Sequence, residues 1–496
     1  MKKTLLGLSV AILLLAAVAG VMVWRASKFG VPPGAVAGLR LPEPPAVDVD
    51  TAAEMLGVAI RIQTVTRAAG DPQPGSDDAW RELRALLAAR YQRVFSLPID
   101  VVADHTLLVT WPGSDASLSP LILMAHQDVV PINEGTEADW THGPFGGVVA
   151  DGYVWGRGAM DDKGALVAVL EAAESLASSG WTPRRTIILL LGHDEEVAGR
   201  GAAEAFALLG TRGVNPVMVL DEGLAVLARL PFTGKPAALI GVTEKGYASL
   251  VLTAQTEGGH SSRPPRESGV VRIARAVVAL EDNQMPADLS APPLPDMIAA
   301  LAPDLPFAAR LAFANQWLLG RLIESKLTDP SSNAIIRTTT APTMLSGSIK
   351  DNVLPQRASA VVNFRIHPRD TFAEVTEHVS RVTRHVEGLT IEPYREGIVA
   401  DPSPVSSIHS DAYRVLEAVA REAAGPGVPV APALMIGATD ARHAVRLTQD
   451  AIYRFVPAVY TDEELAGFHG TNERLSVENL GRMMRAYAQL MMALAG

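Results

Sequence analysis

Hydrophobic and polar positions divide the chain into three stretches of different rhythm. The first begins at Lys2 and Lys3 and carries no charge from Thr4 to Trp24, where Arg25 and Lys28 end it. As a helix rising about 1.5 Å per residue, that run would span roughly 31 Å, enough to cross a hydrocarbon core. Residues 1–28 therefore read as a membrane anchor, or as a secretory signal cut after Ala17-Val18-Ala19. The continuation of the apolar run to Trp24 favours the anchor. Either reading places the rest of the chain outside the cytoplasm, membrane-anchored if uncleaved and secreted or periplasmic if cleaved. Residues 29–50, rich in Pro and Gly, read as a spacer.

From residue 51 helical periods alternate with short apolar runs. Leu121–Ala125, Thr186–Leu191 and Pro216–Leu220 are predicted buried strands, each ending in a polar cluster, and Ala165–Ser178 is helical in period. Strand, helix, strand in this order predicts an α/β layer with a mixed, largely parallel sheet, whose functional groups gather at the carboxyl ends of the strands. A second style starts near Glu244. Ala248–Gln255 and Ala358–Ile366 read as strands, Gly269–Leu280 and Thr371–Val386 as helices. Leu305–Leu327 reads as one or two apolar helices. This predicts an inserted α+β domain over 244–400, splitting an α/β domain that covers 51–243 and 401–496. Its final helices fall at Asp411–Ala423 and Val477–Leu494.

Composition narrows the chemistry. With 48% hydrophobic and 20% charged residues among 496, the chain is globular and long enough for two cores. A formal charge of −11 argues against a nucleic-acid partner. The chain has no cysteine, which excludes disulfides, thiolate metal sites and a cysteine nucleophile.

What remains is a set of histidines and acids at predicted strand ends. In Met124-Ala125-His126-Gln127-Asp128 the strand period of two puts His126 and Asp128 on one side, where the carboxylate can orient an imidazole for metal. A structural histidine fits His-x-Asp as well. Gly156-Arg157-Gly158-Ala159-Met160-Asp161-Asp162-Lys163-Gly164 is a glycine-bounded loop before a helix, with Asp161 facing the site and Asp162 a cap; both aspartates also fit as caps. Gly192-His193-Asp194-Glu195-Glu196 follows a buried strand, and three adjacent acids repel unless cations neutralise them. A solvated acidic loop fits such a run too. Asp221-Glu222 and Gly467-Phe468-His469-Gly470 complete the set. Together they balance: Asp161, Glu196, Asp221 and one hydroxide offset two zinc ions, with His126 and His469 neutral. Nitrogen and oxygen ligands suit zinc, with cobalt or manganese as substitutes. Glu195 would move the proton from water to the leaving nitrogen.

In this order the clusters resemble the zinc-dependent metallopeptidase and amidohydrolase family of carboxypeptidase S, aminoacylase, succinyl-diaminopimelate desuccinylase and bacterial glutamate carboxypeptidase. The likeness runs from about residue 50 to the end. Gly192-His193-Asp194-Glu195-Glu196 and Gly259-His260-Ser261-Ser262 look closest to the carboxypeptidase S branch, which includes hydrolases of N-fatty-acyl amino acids. The resemblance implies a di-zinc catalytic domain with an inserted lid or dimerisation domain, and two zinc ions per subunit. His126, Asp161 and Asp221 match the ligands of one ion; Asp161, Glu196 and His469 match those of the other. Asp128 matches the orienting acid and Glu195 the general base. His260 matches an oxyanion-stabilising histidine that often reaches a neighbouring subunit in dimers, so a homodimer through the lid is implied. Asn352 and Arg365 match substrate-binding positions, although Asn363 stands where many relatives carry Asp. Arg442 is a candidate clamp for a substrate carboxylate, because its planar fork matches that group; a surface arginine fits as well. The reaction implied is metal-dependent hydrolysis of a peptide or N-acyl amide bond next to a free amino-acid carboxylate. The substrate is a small peptide or an N-acyl amino acid. The competing reading is an inactive binding protein on the same fold.

Overall fold

A computed structural model describes residues 2–30, 39–67, 76–395 and 398–496. Much of the expected spacer, residues 31–38, lies outside the described residues. The chain divides into two compact units. One comprises Pro32–Val242, Pro404–Met435 and Thr439–Gly496; the other Met1–Val31, Thr243–Ser403 and Ile436–Ala438.

The first unit is built on an eight-stranded sheet. Across it the strands run Ile99–Val102, Thr106–Trp111, Ile187–Gly192, Leu121–His126, Met218–Leu227, Ile452–Tyr460, Ala237–Glu244 and Val430–Met435. The four from Ile187–Gly192 to Ile452–Tyr460 are parallel, and antiparallel strands flank them. The predicted strands at 121, 186 and 216 are thus the parallel centre. They read as unbroken apolar runs because both faces are covered, as parallel sheets require. Leu121, Leu123, Ala125, Leu189 and Leu191 enter one core cluster, and Ile122, Met124, Ile188 and Leu190 another. Helices Val49–Arg61, Lys163–Ser178, Asp411–Ala424 and Val477–Ala495 contribute to the first cluster, and Arg200–Thr211 to the second. Burial of each such side chain stabilises by about 1.5–3 kcal/mol.

The second unit holds a four-stranded antiparallel sheet in the order Thr339–Ser346, Arg357–Ile366, Gly246–Gln255, Leu389–Pro393. One face is packed: Ala248, Leu250, Leu252 and Ala254 join Ile273 of helix Gly269–Asp282 and Val375 of helix Phe372–Thr383 in one core. Thr371 and Glu374 form a reciprocal cap that fixes the start of the latter helix. The apolar stretch Leu305–Leu327 becomes two helices, Phe307–Ala314 and Gln316–Glu324. The helix Lys2–Lys28 belongs to this unit: its Arg25 donates to the Ala314 carbonyl at 2.9 Å, and Asn315 donates to the Met22 carbonyl at 3.1 Å.

Among the described residues no helix is long and apolar enough to cross a membrane. The expected anchor therefore lacks support. The side chains of residues 2–8 and of Ala11 lie outside the description, and the described remainder soon meets Arg25 and Lys28.

Phe206 of helix Arg200–Thr211 is fully buried in the second core cluster of the sheet. Phe206→Ala is expected to cost about 3–5 kcal/mol in urea unfolding. An unchanged midpoint would contradict this packing.

Candidate metal centre

The parallel strands deliver their polar residues to one rim. His126 is the last residue of its strand and pairs in register with Gly192, the last of the neighbouring strand. The acids 194–196 follow immediately. His126 Nδ1 lies 3.3 Å from Asp128 Oδ1 and 3.1 Å from the Asp128 carbonyl, leaving Nε2 directed at Asp161 Oδ1 at 2.8 Å. Asp128 is itself held by the Thr66 hydroxyl at 2.8 Å and by the N–H groups of Glu195 and Glu196, each at 3.1 Å. One fully buried carboxylate thus fixes the imidazole and the acidic turn together.

The sequence-distant His469 arrives at the same point. Its Nε2 lies 2.7 Å from Asp161 Oδ2 and 3.3 Å from Glu196 Oε1. Asp161 therefore stands between two imidazoles. His126, Asp161 and Glu196 offer ligand atoms within 4.8 Å of one another, and so do His126, Asp162 and Glu222. The structure thus brings together His126, Asp128, Asp161, Glu196 and His469. Glu195 joins them through its backbone bond to Asp128.

Asp221 differs from expectation. Its two oxygens accept from the N–H groups of Ala441 at 2.7 Å and Glu222 at 3.0 Å, and neither ligand group includes it. Glu222 takes that place, with Oε1 at 3.5 Å from His126 Nε2. The cause is a bulge. Opposite Arg454 the strand presents Asp221, but opposite Phe455 it presents Leu224, so Glu222 and Gly223 are extra. A bulge re-aims the side chain at the break, which strict alternation cannot foresee. Gly223 permits it: φ is +134°, and a Cβ there would meet the Arg454 Cβ at 2.9 Å.

Electrostatics expose the demand for cations. Burial first, and then the Asp161 charge, push Glu222 up to about 7. Glu195 is held well above the usual carboxyl range by burial and by Asp440 and Glu222. Hydrogen bonds to Asp161 and Glu196 raise His469 to about 10. Burial alone would lower His126, yet Glu222, Asp128 and Asp161 outweigh it and hold its pKa well above the ordinary value. For Asp161 burial works upward, but its bonds to His126 and His469 hold it below the usual range. Asp162 accepts from the His126 N–H at 3.2 Å, while its Oδ1 is buried without a hydrogen-bond partner.

The remaining expected residues fall elsewhere. Arg442 lies beside Glu195, with Nη1 at 3.9 Å from Glu195 Oε1 and donating to the Thr439 carbonyl at 2.9 Å. His260, Asn352 and Arg365 belong to the other unit. There His260 pairs with Val353 across a short ladder, and Ser261 donates to the Asn352 carbonyl at 3.1 Å. Arg365 lies 4.7 Å over the Tyr247 ring, while Asn363, the departure noted above, donates to Ser249 at 3.0 Å. His193, assigned no role, is buried against Thr106 at 2.7 Å and edge-on to Trp80.

Residues 122–493 match Peptidase family M20/M25/M40. The chain belongs to this family. Among M20 relatives it is 39% identical to the N-fatty-acyl-amino acid synthase/hydrolase PM20D1.1 of Danio rerio, over 88% of this chain and 84% of that protein. It is 36% identical to the probable carboxypeptidase S-like 2 of Dictyostelium discoideum, over the same shares of each chain. Among solved structures, the M20 family metallo-carboxypeptidase Sso-CP2 from Sulfolobus solfataricus superposes with a TM-score of 0.64. It covers 89% of this chain and 99% of its own at 16% identity, a likeness of fold. Membership in the M20 family and this donor set make the chain a metal-dependent hydrolase of amide C–N bonds.

The donors fit a divalent ion, since each proton they hold is one that a cation can displace. With pKa values of about 10 for His469 and about 7 for Glu222, the metal-free site retains protons at pH 7. Zinc titrated into metal-stripped protein at that pH is expected to expel them, giving calorimetric heats that scale with the ionisation enthalpy of the buffer. Heats independent of buffer would contradict this assignment.

Proposed function

We propose that the chain hydrolyses N-acyl amino acids with long apolar acyl groups, cutting the amide on the amino side of a free carboxylate. The observation that carries the catalytic part is the convergence of Asp161 with His126 and His469 at 2.8 and 2.7 Å. In this reading Asp161 would serve both of two divalent-ion sites, with zinc the expected metal. His126 and Glu222 complete one ligand set, and Glu196 and His469 the other. Glu222 thus replaces Asp221 with no change in total charge. Bound metal supplies Lewis-acid polarisation of the scissile carbonyl and a lowered pKa for water.

The protein's own groups do the rest. Asp128 holds the His126 ring so that Nε2 faces the centre, and its two backbone bonds hold the turn that aims Glu195. Glu195 takes a proton from water as the water oxygen joins the carbonyl carbon. It returns that proton to the nitrogen as the C–N bond breaks, leaving a carboxylic acid and a free amino group. Burial and acidic neighbours keep the Glu195 carboxyl well above its usual range, and a raised pKa makes a carboxylate a stronger base. Arg442, close to this base, is placed to hold the carboxylate of the departing amino acid. Asn352, Arg365 and His260 are assigned to the substrate, with His260 stabilising the oxyanion.

Two observations support the acyl reading over the peptide one. Several relatives at 36–39% identity are N-fatty-acyl-amino acid synthase/hydrolases by name. The unit bearing His260 also exposes Phe307, Trp317, Leu318 and Leu322 on two short helices, an apolar surface suited to a lipid-like chain.

Turnover of an N-oleoyl amino acid should exceed that of a blocked dipeptide with the same carboxyl residue; indifference to acyl length would remove the lipid-like substrate. Glu195→Gln should cut turnover by roughly 10²–10⁴-fold with metal content unchanged. Near-normal turnover in that variant would refute Glu195 as the base.

A further inference from the structure

Asp161 and His469 must meet within hydrogen-bonding distance although 308 residues separate them, and neither is held there by its own strand. Asp161 sits in the loop 156–161, and His469 in the turn after helix Asp462–Gly467. His469 and Asn472 have φ of +55° and +63°. Non-glycine residues keep that left-handed conformation only where their surroundings enforce it. The His469 side chain is 48% exposed, so core packing does not immobilise it.

What holds both segments is Glu473. It is fully buried. Its Oε1 accepts from the N–H groups of Gly158 and Met160, each at 2.9 Å, and of Asp161 at 3.2 Å. Its Oε2 accepts from Arg157 Nη1 at 2.5 Å, and its carbonyl from Gly156 N–H at 2.9 Å. Arg157 returns to the histidine turn, donating from Nη2 to the Gly470 carbonyl at 3.1 Å, and its guanidinium lies 5.5 Å over the Trp140 ring. Next to Glu473, Asn472 accepts from Thr141 N–H at 2.7 Å. One carboxylate therefore gathers three consecutive-region amides of the aspartate loop, and through Arg157 it closes a ring back onto the residue after His469. Charge-assisted bonds of this kind are the strong ones, and a buried carboxylate satisfied on both oxygens leaves little freedom.

We infer that Glu473 is a positioning residue that sets the Asp161–His469 separation and with it the geometry of the metal centre. It belongs to neither group of metal-holding side chains and acts through the two loops. The inference rests on the reading of Asp161 and His469 as metal-holding side chains.

The test uses full-length protein stripped of metal. Zinc affinity is measured by chelator competition, the absorption spectrum after cobalt substitution, and thermal unfolding of the metal-free form. Glu473→Ala is expected to weaken zinc binding by roughly 10–100-fold and to change the cobalt spectrum. Glu473→Gln keeps an acceptor for the three amides and should recover part of that loss. If the alanine variant does not fold, the glutamine variant decides, with an altered cobalt spectrum and several-fold weaker zinc binding expected. Parental zinc affinity and cobalt spectrum in a folded variant, with only a lower unfolding midpoint, would reduce Glu473 to a brace and overturn the inference. A His469→Ala control separates the two claims: if it binds zinc as tightly as the parent chain, the metal-holding reading fails and this one falls with it.

Discussion

Seven carboxyl groups, those of Asp128, Asp161, Asp162, Glu195, Glu196, Asp221 and Glu222, meet at the carboxyl rim of a sheet whose two faces are already filled with aliphatic side chains. Taking like charges out of water is costly unless protons, hydrogen bonds or cations compensate them. Every other feature of the rim follows from how this cost is met. The imidazoles of His126 and His469 meet part of it, which is why both bind protons so tightly without metal. Divalent ions meet it more completely, because they neutralise several oxygens at once and require no proton to be held at neutral pH.

Much of this was legible before any coordinates. A strand buried on both faces has to be an apolar run, so Leu121–Ala125, Thr186–Leu191 and Pro216–Leu220 announced a parallel sheet. The polar clusters after them could only lie at its rim. In the other unit Ala248–Gln255 and Ala358–Ile366 read as strands of an α+β domain, and the strands fall there. Motif order and chemistry singled out His126, Asp128, Asp161, Glu196 and His469, and these side chains lie together in space.

What stayed hidden has identifiable causes. Asp221 was matched through charge balance and resemblance, and neither contains the bulge that makes Glu222 and Gly223 extra and sets Glu222 3.5 Å from His126. The glycine after the two acids was the one local hint. Glu473 escaped notice, since a carboxylate whose partners are backbone amides some 310 residues earlier has no sequence signature. The N-terminal run was read from its apolarity, flanking charges and Trp24, and such a pattern does not contain the docking of Arg25 and Met22 against Ala314 and Asn315.

The acids at the rim can be sorted by what already satisfies them. Asp128 accepts from two backbone amides and a hydroxyl, Asp221 from two amides, and Glu473 from three amides and a guanidinium. Their lone pairs are committed to protein donors, so their negative charge is stabilised by the fold and serves to orient neighbours. Asp161, Glu196 and Glu222 instead turn their oxygens toward the imidazole nitrogens. Those are the oxygens still seeking positive charge, and an imidazole nitrogen can share a cation with them only by giving up its proton. Partner type, more than proximity, therefore separates the groups that shape the centre from those that would hold its metal. By that criterion Asp221 and Glu222, adjacent in sequence and alike in charge, belong on opposite sides of the division.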